Sequence, residues 1–324
     1  MNSKYIRMHA PMLGLLALAG LGGCGGDDGE DLSGDDVLTV ALEAEDTITE
    51  GLEPGEDLEN LVDGWTVTFD NYIVAIGEVT IGRKGGDLTV EGGVVVDLTK
   101  LPTNGFELAR FTGIAAGQWP EFFYEQVHAE DGTRDDSVSE DDYARMVDEE
   151  LTYLIRGTAT KDDESIDFEF AVPAEVTYGP CESEEGAAGV NVTEMGESAA
   201  SVVIHGDHIF FNGFPSGAEV VERRAAWLAA ADALTGADGE VTTEDLEGIT
   251  GTDLAGLFPT GAPENEGDAQ YFLSGSPMPV ENALDFVIGQ LVTQGHFNGE
   301  GECPWTLDDG TSGAHDHEED DHDH

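Results

Sequence analysis

Trp65-Thr66-Val67-Thr68-Phe69-Asp70-Asn71-Tyr72-Ile73-Val74-Ala75-Ile76-Gly77-Glu78-Val79-Thr80-Ile81 is the stretch that decides the fold class. Apolar and polar residues alternate along it, which is the period of a strand with two different faces. Asp70-Asn71 and Gly77 interrupt the alternation, so it reads as two strands or one bent strand. A turn, Gly82-Arg83-Lys84-Gly85-Gly86-Asp87, follows. Similar short patterns place strands at 88–91, 94–98, 106–114, 121–127, 152–159, 166–172, 174–178 and 198–204. Many short strands separated by Gly-rich turns predict a mainly β fold, an antiparallel β-sandwich or barrel-like domain over residues 61–308.

Helical signals break this pattern in three places. Ser139 stands before the acidic turn Glu140-Asp141-Asp142 and caps a short helix running through Met146 and Val147. Val220, Val221, Trp227, Leu228, Ala231 and Leu234 recur at helical spacing and predict a helix from near Ser216, opening a helix-loop-helix insert over 216–258. Asn282 caps a C-terminal helix carrying Leu284, Phe286, Val287, Leu291 and Val292, with Gly295 as its stop.

The charge is extreme: 69 acidic residues against 12 basic ones give −57. Nucleic acid and anionic lipid surfaces would be repelled, and cations are the natural partners. Adaptation to salt is the alternative reason, because a Debye length of roughly 5 Å at a few tenths molar salt makes such self-repulsion tolerable.

Lys4 and Arg7 precede the apolar run 12–21, which has the form of a signal peptide and is short for a bilayer span. Leu21-Gly22-Gly23-Cys24 is similar to the lipobox of bacterial lipoproteins. The resemblance implies cleavage after residue 23, acylation of Cys24, and attachment to the membrane through the lipid. By the sorting rule of such lipoproteins, Gly25 after the Cys implies the outer membrane, with the membrane face left open. Residues 25–60 hold fourteen Asp or Glu and no Lys or Arg. On composition, 24–60 is expected to be a disordered acidic tether, with 37–40 as a stray strand.

Beyond Cys24 only Cys181 and Cys303 remain. In an oxidising envelope they pair most simply as a disulfide, closing a loop of about 120 residues and contributing ~4 to 5 kcal/mol in the chain-entropy model. The alternative is metal ligation by Cys303, seven residues after His296.

Four histidines lie between the leader and the C-terminal run, and three of them stand in two short Gly-containing motifs, Ile204-His205-Gly206-Asp207-His208 and Gln294-Gly295-His296. Three neutral imidazoles suit zinc or copper. His205, His208 and His296 are therefore candidate ligands, with Asp207 as a further ligand or a carboxylate that orients an imidazole. Glu300, Glu302 and His128 are other choices for a fourth position. In a flat strand His205 and His208 would point to opposite faces, so a shared metal requires the strand to break at Gly206 and another element to deliver His296. The alternative is that these are strand-end histidines with ordinary hydrogen bonds.

The run 232–246 resembles an EF-hand calcium loop in its second half: Asp238, Gly239 at the turn, Glu240, Val241, Thr242 and an acidic end at Asp245. Counting back from Gly239 puts Leu234 and Gly236 where acidic ligands belong, and Asp232 fits only with two extra residues. The resemblance implies calcium at Asp232, Asp238, Glu240, Thr242 and Asp245; otherwise the Asp-Gly step is just a turn.

Residues 309–324 read as a disordered tail in which His315, His317, His322 and His324 alternate with carboxylates, a composition suited to capturing divalent metal ions. The chain carries no zincin helix motif, Gly-x-Ser-x-Gly elbow, phosphate loop or dinucleotide fingerprint. The expectation is a lipid-anchored cell-envelope protein that binds zinc or copper at a histidine site, with calcium in the insert. The alternatives are an acidic structural or adhesive envelope lipoprotein and a metal-dependent hydrolase.

Overall fold

A computed structural model describes residues 32–57, 59–214, 221–259, 271–273 and 275–307, and the backbone of Ser312–Gly313. The 65–81 stretch lies in one bent strand, Thr66–Arg83. Its pairing with Tyr153–Lys161 shifts register between Phe69 and Asn71, and its pairing with Glu121–Gln126 shifts between Ile76 and Val79. These bulges coincide with the two interruptions in the alternation. At Gly77 close approach explains the residue, since a Cβ there would lie 2.6 Å from Val127 Cγ1.

Between the bulges, successive residues feed two cores. Tyr72, Val74 and Ile76 enter the main core, while Ile73 and Ala75 enter a smaller one with Met146, Leu151 and Leu154. The helix Glu140–Asp148 supplies Met146 to that smaller core and is capped as expected, Ser139 Oγ accepting from the Asp142 amide at 3.0 Å. A strand covered on both faces gains about 1.5–3 kcal/mol for each large aliphatic side chain it buries, so Thr66–Arg83 anchors the domain.

The larger sheet runs Glu240–Thr242, Glu164–Val172, Tyr153–Lys161, Thr66–Arg83, Glu121–Gln126, Val176–Tyr178, Trp305–Leu307, Ser312–Gly313. Gly86–Val90 and Gly93–Asp97 also pair with Thr66–Arg83, and Gly132–Arg134 joins Gly93–Asp97. A second, four-stranded sheet runs Gly295–Phe297, Glu197–Ile204, Ser33–Ala44, Phe106–Ile114. Leu38, Val40 and Leu42 of this sheet share the main core with Val74, Ile76 and Phe122 of the larger one.

The mainly β expectation holds, and its finer form is corrected. Ser33–Ala44 pairs parallel with Glu197–Ile204, and Glu164–Val172 pairs parallel with Glu240–Thr242, so the sheets are mixed; among the described residues no closed barrel forms. These partners are far apart in the chain, and local periodicity carries no information about them.

The tether is corrected over its described part. Ser33–Ala44 is an inner strand, with Leu38, Val40 and Leu42 fully buried, and Ile48, Leu52 and Leu61 continue into the core. Averaging composition over the segment hid a period of two in which acidic Asp35 and Glu43 face solvent and the aliphatics face inward. The body thus starts well before residue 61. At the other end, Ser312–Gly313 pairs with Trp305–Leu307, so backbone order passes residue 308. The leader, Cys24 and the histidines of 314–324 lie outside the described residues.

Two helix boundaries also move. Residues 221–225 precede the helix of the insert, which is Ala226–Thr235; the apolar spacing at Val221 belongs to a segment that bridges Arg223 to Leu61 and Phe211. The C-terminal helix, Ala283–Leu291, opens with the expected Asn282 cap, Asp285 completing a capping box, but stops at Val292, three residues before Gly295. Cys181 and Cys303 are joined as a disulfide.

Candidate metal centre

The strand Glu197–Ile204 ends where the histidine motif begins. His205 is extended, at φ −97° and ψ 109°, and Gly206–Phe210 winds into a 3₁₀ turn. In a 3₁₀ turn residues three apart eclipse, which brings His205 and His208 to one side; a continued strand would have separated them. Gly206 serves this by its size. A Cβ there would lie 2.4 Å from Ile48 Cγ1, and its φ is outside the left-handed region.

His296 arrives on a short strand, Gly295–Phe297, just past the C-terminal helix. That strand pairs antiparallel with Glu197–Ile204, His296 opposite Val203 and Gly295 opposite Ile204. Gly295 is required by the neighbouring tyrosines, a Cβ there falling 2.2 Å from Tyr124 Oη and 2.5 Å from Tyr178 Cε1. The ring centre of His205 lies 4.1 Å from that of His296 and 5.7 Å from that of His208, and His208 and His296 are 5.3 Å apart. All three are buried, and their ligand atoms lie within 4.8 Å of one another.

Two carboxylates border the trio. Glu45 follows the strand Ser33–Ala44 as His205 follows its parallel neighbour, Ala44 standing opposite Ile204. The Glu45 amide donates to the Ile204 carbonyl at 3.1 Å, which holds the two chain ends side by side. Glu45 Oε1 is 3.5 Å from His205 Nδ1. Burial first, and the charge of Asp207 second, push the Glu45 carboxyl up to about 8. Asp207 is fully buried; its Oδ2 accepts from Arg223 Nε, while its Oδ1 has no hydrogen-bond partner. Glu45, His205 and Asp207 form a second convergent set within 4.8 Å. Glu45 was not among the sequence candidates because it fell in the supposed tether. Glu300 Oε1 lies 4.0 Å from His205 Nε2, whereas His128 and Glu302 belong to neither convergent set.

A further layer orients these groups. His208 Nδ1 is 2.9 Å from Thr293 Oγ1, and that hydroxyl donates to the Gln290 carbonyl at 2.8 Å. With its proton used there, the hydroxyl accepts from Nδ1–H, so we assign the His208 lone pair to Nε2. The His205 amide donates to the Gln294 carbonyl at 3.0 Å, and Tyr72 Oη donates to Gln294 Oε1. Gln290 Nε2 donates to the carbonyls of Gly213 at 3.0 Å and Phe211 at 3.3 Å, tying the C-terminal helix to the segment after His208.

The cluster can hold a metal ion: three buried imidazoles converge, two carboxylates stand beside them, and Arg223 is the cation paired with Asp207. The disulfide leaves Cys303 without a thiolate for that role.

The EF-hand-like run is built from local hydrogen bonds. Asp232 Oδ1 accepts from the Gly239 amide at 2.9 Å, and Asp238 Oδ1 from the Glu240 amide at 3.3 Å. Asp245 is the capping-box residue of the helix Thr243–Gly248, its Oδ2 accepting from the Thr242 amide and hydroxyl, while Glu240–Thr242 is a strand beside Glu164–Val172. These carboxylates shape a turn and a helix start, and they are not among the convergent sets of the described residues. No protein-family model matches the chain, and comparison with curated proteins and with solved structures finds no match either.

Proposed function

We propose that this chain is a lipid-anchored cell-envelope protein that binds a transition metal, zinc or copper, through His205, His208 and His296. The convergence of three buried imidazoles from two segments far apart in the chain carries the reading. Burying polar rings together costs free energy that a bound cation offsets, and neutral imidazole without thiolate suits zinc(II) or copper(II). The lipobox-like Leu21-Gly22-Gly23-Cys24 supports the anchor, and the acidity of the chain favours attraction of cations to its surface. The histidines of the C-terminal run would collect ions weakly and deliver them to the buried centre.

The test is elemental analysis of the full chain with His315, His317, His322 and His324 changed to alanine, so that weak sites do not contribute. His205→Ala, His208→Ala and His296→Ala should each lower the content of tightly held zinc or copper. Metal content unchanged in all three variants would end this reading.

A further inference from the structure

We propose that the pocket takes two metal ions, the second bound by Glu45 and Asp207 with His205 shared between the two; this rests on the histidine centre proposed above. Donors to one zinc-sized ion sit about 2.0–2.2 Å from it, so they lie within about 4.4 Å of each other. The five side chains do not make one such set. At the slightly wider spacing of 4.8 Å they fall into two sets of three, the imidazole trio and Glu45–His205–Asp207, and His205 is the member common to both.

Three observations on the carboxylate side point to a cation. Among the described residues, buried Asp207 and half-buried Glu45 stand with one guanidinium, that of Arg223, which engages Asp207 through Oδ2. Asp207 Oδ1 is buried without a hydrogen-bond partner although the residue is 0% exposed. His205 presents Nδ1 toward Glu45 at 3.5 Å, while its Nε2 is buried and makes no hydrogen bond. A neutral imidazole has one lone pair, so serving two ions requires loss of its ring proton. Filling the second site therefore releases that proton to solvent, together with the proton of the Glu45 carboxyl, and leaves an imidazolate bridge. Two carboxylates and one nitrogen form a harder donor set than three imidazoles, and zinc(II) accepts both.

The full chain carrying the four C-terminal histidine-to-alanine changes is loaded with zinc, freed of excess by gel filtration and analysed for metal. Two ions per chain are expected, falling to one in Glu45→Gln, to one in His208→Ala and to none in the double variant. A wild type holding one ion that His208→Ala abolishes and Glu45→Gln keeps would overturn the second ion and leave the histidine centre standing. No ion in the wild type would remove both, and two ions retained in Glu45→Gln would overturn the carboxylate site. Loaded with copper(II), an imidazolate-bridged pair should give a paramagnetic resonance signal well below that of two isolated spins; the full intensity of two independent ions would overturn the sharing of His205.

Discussion

Thr293→Val tests the centre without touching a ligand. Valine keeps the shape of threonine and removes the hydroxyl that accepts from His208 Nδ1 at 2.9 Å and donates to the Gln290 carbonyl at 2.8 Å. The first bond fixes the imidazole tautomer and its orientation, and losing such a partner typically lowers metal affinity about 10–100-fold, or ~1.4 to 2.8 kcal/mol. The second bond closes the end of the C-terminal helix, and leaving buried polar groups unsatisfied costs about 1–3 kcal/mol of stability in the metal-free protein. Thr293→Ser restores the hydroxyl and should recover most of the affinity. Competition against a chromophoric chelator reads affinity, and thermal melting of the metal-free protein reads stability. Serine as weak as valine, or valine binding within twofold of wild type, would refute the assignment of the His208 lone pair to Nε2.

Burial holds the Glu45 carboxyl protonated up to about 8, from an ordinary value of 4.5, so between these limits the folded metal-free protein keeps a proton that the unfolded chain has released. Stability should therefore decline as pH rises through that window, by on the order of 4 kcal/mol at full extent, and Glu45→Gln should flatten the decline in pH-dependent denaturant melts. Gly206→Ala should cost about 1–3 kcal/mol by overpacking against Ile48, and combining it with Ile48→Ala should give less than the sum of the two single losses by more than about 0.5 kcal/mol. Val40→Asp places a charge in a fully buried position of an inner strand and should cost more than about 3 kcal/mol by thermal melting, whereas a tether would tolerate it.

What could be read in the chain was local. The alternation of 65–81, its two interruptions, the caps at Ser139 and Asn282, and the histidine pair around Gly206 each rest on neighbours a few residues apart, and each reappears in the structure. His205 and His208 share a side because the strand gives way to a 3₁₀ turn at Gly206, again a local event. The unread features depend on pairing across distance. Glu45 and His205 are 160 positions apart in register terms, Ala44 beside Ile204, and only the parallel pairing of Ser33–Ala44 with Glu197–Ile204 makes them neighbours. His296 needed its own strand pairing, which local apolar spacing presented as the end of a helix.

The parallel pair also explains why an acidic segment folds where composition predicted disorder. Its inward residues, Leu38, Val40 and Leu42, bury aliphatic surface worth several kcal/mol in sum, while most of its carboxylates stay in solvent, so net charge opposes order less than the segment average suggests. Two acids depart from this: Asp36 is buried and accepts from the Met195 amide at 2.6 Å, and Glu45, just past the strand end, is half-buried. The two parallel strands end together, so the residues that follow them are brought side by side at one end of the sheet. Here one strand ends in Glu45 and the other in His205-Gly206-Asp207-His208, and the antiparallel neighbour adds His296. A single topological choice, parallel rather than antiparallel pairing of the N-terminal strand, thus sets carboxylates beside imidazoles. Reversed, that strand would put Ser33 beside the histidine motif and carry Glu45 to the far end of the sheet. The imidazole trio would keep its other supports, but the Glu45–His205–Asp207 set would not exist.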